Sequence, residues 1–67
     1  MMTEIETLRA YIAHKQQQID DLEKRYGTGV RPGWVGEEIT MLTFYKQDAE
    51  KQLKQLEANN AADHPDN

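Results

Sequence analysis

The stretch Tyr26 to Val35, read YGTGVRPGWV, holds three of the four glycines and one of the two prolines in the chain. No regular helix or strand runs through such a segment, because Gly27, Gly29, Pro32 and Gly33 each interrupt one. It therefore splits the sequence into two separate halves. Both halves carry a helical pattern.

In the first half, apolar residues recur at Ile5, Leu8, Ile12, Ile19, Leu22 and Tyr26. With Lys15 counted as a polar member, the spacing alternates three and four, which is a heptad. No Gly or Pro falls between positions 3 and 26. Thr3 followed by Glu6 fits a capping box, in which each side chain satisfies a backbone N–H of the other. Asp20 with Lys24 and Asp21 with Arg25 are spaced for acid-first pairs along one helix. Lys24 and Arg25 also suit the negative end of the helix dipole. Gly27 follows at once, where a helix commonly ends in a residue of positive φ.

The second half repeats the pattern at Val35, Ile39, Leu42, Ala49, Leu53 and Leu56, with Lys46 as its polar member. Folding the halves back on each other sets Tyr26 against Val35, Leu22 against Ile39 and Ile19 against Leu42. Lys15 then meets Lys46, Ile12 meets Ala49, Leu8 meets Leu53 and Ile5 meets Leu56. One register serves every pair and also suits a short connection. The expectation is an all-α fold, an antiparallel two-helix hairpin over residues 1–58. Its helices are placed at 3–26 and 34–57, joined by a loop at 27–33. Val30 and Trp34 are candidates to fold inward and plug the loop end. Residues 59–67, small and polar with Pro65 near the end, read as a disordered tail.

A chain of 67 residues allows one domain at most. Chains this short are marginal unless a disulfide, a metal or another subunit helps. Cysteine is absent, and His14 and His64 show no ligand spacing, so no metal or cofactor is expected. Oligomerisation remains. The second half supplies a surface for it. At roughly 100° per residue, Trp34, Met41 and Tyr45 lie beside the apolar stripe, and Phe44 lies further round. One facing helix covers only part of that sector. Tyr11 in the first half lies beside its own stripe and joins the same surface. The expected oligomer or partner interface is thus Tyr11, Trp34, Met41, Phe44 and Tyr45. A second copy is the first expected partner, giving a homodimeric four-helix bundle. An unidentified protein is the second.

Lys15 and Lys46 at the seam are expected to lay their stems on apolar surface and lift their ammoniums to solvent. A polar layer that fixes register, or an anion site between hairpins, is the sharper reading. Function reads as a small non-enzymatic helical module: an adaptor, stabiliser or regulator of another macromolecule. The alternative is a nucleic-acid-binding dimer using Lys24, Arg25 and Arg31 near the loop. The formal charge of −4 opposes it, as do Asp20, Asp21, Glu23, Glu37 and Glu38 around the patch. No catalytic constellation is visible, since the Asp20–Asp21–Glu23 cluster diverges around its helix. GTGVRPG lacks the lysine and spacing of a phosphate loop. No apolar run is long enough for a membrane span. The N-terminus does not resemble a signal peptide, so the cytoplasm is the default location.

Overall fold

The computed structural model describes residues 2–62. They form two helices, α1 (Glu4–Tyr26) and α2 (Gly33–Ala62), packed against each other as a hairpin.

The start of α1 is the expected capping box. The Glu6 N–H donates to Thr3 Oγ1 at 3.1 Å, and the Thr3 N–H donates to Glu6 Oε1 at 2.9 Å. Two backbone donors that the helix cannot use are thereby satisfied. The same contacts hold the Glu6 carboxyl below its ordinary value. The Thr3 backbone donor matters most and the Thr3 hydroxyl next. Slight desolvation opposes them, and Arg9 adds a small favourable field.

The helix ends at Gly27, whose N–H donates to Glu23 O at 2.7 Å. Its φ is +79°, as expected of a terminal glycine, but ψ is 178°. The chain therefore leaves along an extended path instead of making the left-handed turn. That combination of angles belongs almost exclusively to glycine. Arg31 Nη1 then donates to Gly27 O at 2.7 Å, and the Val35 N–H donates to Pro32 O at 3.0 Å. These two bonds close the connection. Val30 does not plug the hairpin; it is fully exposed. The loop end is closed by Tyr26 and Trp34 instead, in an edge-to-face contact with centroids 5.3 Å apart.

The register matches the heptad reading. Ile19, Val35, Leu42 and Ala49 are buried, and every other seam residue from Ile5 to Leu56 is half-buried. Cross-helix contacts fall close to that register: Tyr26 with Trp34, Lys15 over the Tyr45 ring, and Lys46 with Gln16. The expected pairs Asp20–Lys24 and Asp21–Arg25 do not form. Asp20 accepts from Gln16 Nε2 at 2.9 Å, and the one ion pair among the described residues is Arg9–Glu57 at 2.7 Å. Exposed ion pairs gain little over solvation, so such side chains are free to settle elsewhere.

The second helix is 30 residues long. It continues past position 57, where the sequence pattern ends, as far as Ala62. The apolar stripe stops at Leu56, but Ala58, Ala61 and Ala62 are strong helix formers and nothing breaks the helix before Pro65. Of the tail, residues 63–67 lie outside the described part. No helix among the described residues is long and apolar enough to cross a membrane.

Candidate interaction face

A single layer of two helices has two broad faces, and this hairpin is only 14 Å through its thinnest direction. An α-helix with its side chains is about 10–12 Å across, so no third element among the described residues covers either face. The two faces differ in chemistry.

One face is polar and tied across the seam. Arg9 Nη2 donates to Glu57 Oε2, and Lys46 Nζ donates to Gln16 Oε1 at 2.6 Å. Thr43 lies half-buried on this side, with its hydroxyl turned back onto Ile39 O at 2.8 Å. These groups already have partners.

The opposite face is aromatic. Trp34 and Glu38 stand across a shallow groove from Gln18, Leu22 and Arg25 near the loop. Tyr11 and Tyr45 face each other further along, beside Leu8 and Ala49. Met41 lies seven residues from Trp34 and four from Tyr45, which sets it on the same side of α2, at the rim where it also borders the outer groove of Gly33, Gly36, Glu37 and Thr40. Exposures run from 39% at Tyr11, through 53% at Trp34, to 61% at Phe44. Phe44 stands apart from the others. It lies roughly 160° round the helix from the seam, on the outer edge of α2. Four of the five interface candidates thus share one face, and Phe44 borders it.

The two seam lysines separate. Lys46 turns to the polar face and Lys15 to the aromatic one. The Lys15 ammonium sits 5.1 Å from the Tyr11 ring centroid and 5.9 Å from that of Tyr45. Cations are attracted to the faces of such rings. Both lysines are half-buried, which agrees with stems lying on the seam.

Two polar residues on the aromatic face escape an apolar-pattern reading. Gln18 Oε1 is buried and has no hydrogen-bond partner among the described residues. Glu38 lines the same groove. Gln18 lies seven residues beyond Tyr11, and Glu38 seven before Tyr45; that periodicity is the signal that could have found them.

The loop-end cations do not form one surface. Arg31 is half-buried and spends its guanidinium on Gly27 O. Lys24 and Arg25 border the groove that Asp21 and Glu38 also line. His14 is exposed, and His64 lies outside the described residues. Among the described residues, no three His, Cys, Asp or Glu side chains are grouped to hold a metal ion. Comparison with protein-family models, with characterised proteins and with solved structures gives no match for this chain.

Proposed function

We propose that the protein is a non-enzymatic helical interaction module that self-associates through its aromatic face and, as an oligomer, docks on, stabilises or regulates another macromolecule. One observation carries the reading. Tyr11, Trp34, Met41 and Tyr45 lie half-exposed on one side of a hairpin whose buried hydrophobic residues, among those described, are Ile19, Val35, Leu42 and Ala49. A contiguous apolar patch of this kind marks an interaction site. So small a core also gives the chain a reason to need its neighbour. With no cysteine for a disulfide and no metal-binding cluster among the described residues, a second subunit is a ready source of further buried area. A second copy is always at hand, whereas a foreign partner would leave the chain marginal until the two met. The polar face, where Arg9 pairs with Glu57 and Lys46 with Gln16, stays free for solvent or for a further macromolecule.

Light scattering on the full chain tests this. The expected mass is a multiple of 7.8 kDa. Met41→Asp is expected to shift the population toward single chains and to lower helicity. A single-chain mass for the parent protein, or an unchanged mass for the variant, would count against the interface.

A further inference from the structure

We infer that the aromatic face meets the same face of a second copy across a two-fold axis level with Gln18 and Met41, so that the two hairpins run antiparallel. The inference rests on the self-association reading and gives it a geometry.

The extent of the patch places the axis. Its ends are Trp34, near the loop, and Tyr11, which the register sets level with position 50 of α2. At 1.5 Å per residue these lie about 24 Å apart along the hairpin. Beyond Tyr11 the face turns polar, with Thr7 and Gln52. The midpoint, about 12 Å from Trp34, falls between Met41 on α2 and Gln18 on α1. Centring the axis there covers the whole apolar stretch and leaves the polar end outside.

In a two-fold interface, residues beside the axis meet their own counterparts. Met41 against Met41 is an adaptable apolar contact. Gln18 against Gln18 is more telling. A carboxamide both donates and accepts, so two of them satisfy each other. Gln18 Oε1 is covered within its own chain and lacks a donor there; once the carboxamide turns outward, it receives one from the second copy's amide.

Charge distinguishes this arrangement from the parallel one. Lys15 lies about 6 Å to one side of the axis and Glu38 about 6 Å to the other. Both stand close to the seam, Lys15 over the Tyr11 and Tyr45 rings and Glu38 in the groove with Leu22 and Leu42. Antiparallel pairing therefore brings Lys15 level with the second copy's Glu38, twice per dimer. Parallel pairing would set Lys15 against Lys15 and Glu38 against Glu38, and such like-charge contacts disfavour an interface. The area is also of the right order. Three half-exposed aromatic side chains and one Met offer about 300–400 Å² of apolar surface. Homodimer interfaces are about 65% apolar, so this corresponds to roughly 500–600 Å² per copy. A stable standard-size contact uses about 800 Å² per partner.

The absence of cysteine makes single-cysteine cross-linking a direct test. Full chains carrying Gln18→Cys or Met41→Cys are expected to form disulfide dimers under mild oxidation at least tenfold faster than Trp34→Cys or Glu38→Cys. Lys15→Glu and Glu38→Lys should each weaken the dimer about tenfold or more, and combining them should restore it. Mass measurement on the parent protein separates two kinds of failure. A single-chain mass overturns the self-association reading and this geometry with it. A dimer that cross-links fastest through Glu38→Cys or Trp34→Cys, or that the double charge swap fails to restore, overturns the antiparallel geometry alone.

Discussion

Thr3 shows what one side chain does for this hairpin. Its hydroxyl and backbone N–H both bond Glu6, fixing the first turn where intrahelical bonds are missing. Thr3→Ala is expected to cost about 1 kcal/mol, read as a lower midpoint in urea. The same contacts predict a pH dependence. Glu6 is held below its ordinary value of 4.5, so its contribution is present above that value and is lost as pH falls through the depressed one. Acid melting of the parent should therefore carry a component that Glu6→Gln lacks. Gly27 argues differently. A Cβ there would meet nothing within 4 Å, yet φ is +79°. The cost of Gly27→Ala is then conformational, about 1–3 kcal/mol. Gly29→Ala, with open space and no positive φ, should be close to neutral in the same melt.

At the scale of the helices, the seam is legible in the sequence because a heptad with one lysine per helix admits few other burials. Ile19 and Leu42 lie where the pattern puts them. The loop is legible as a break, but its path is not: ψ at Gly27 and the Arg31 bond to its carbonyl depend on the two helix ends being brought together. The pattern sets the end of α2 short because it stops with its last apolar residue, whereas Ala-rich sequence continues a helix without one. Gln18 and Glu38 escape it for the same reason, being polar residues on an apolar face. Gly36 gives this scale its prediction. It lies in the first turns of α2, where an added Cβ would meet nothing within 4 Å, and helical glycine disfavours the helix relative to alanine. Gly36→Ala should stabilise the hairpin by roughly 0.5–1 kcal/mol in thermal or urea melts. Loss of stability there would mean that α2 must bend or be approached closely at this point.

For the molecule as a whole, the question is whether hairpin and assembly are separate events. The seam buries four hydrophobic residues among those described, and no described element covers the aromatic face. If a second copy provides that cover, folding and association are one equilibrium, and stability depends on concentration. A tenfold dilution then removes about 1.4 kcal/mol from the assembled state. For an assembly of two 67-residue chains, that lowers the melting midpoint by about 5 °C. Circular dichroism melts across two decades of concentration should show the midpoint falling steadily with dilution. Met41→Asp should melt lower and show no such dependence, because its transition is that of the lone hairpin. A parent midpoint that stays constant across the same range would mean that the seam alone holds the hairpin, and that Trp34, Met41 and Tyr45 await a different occupant.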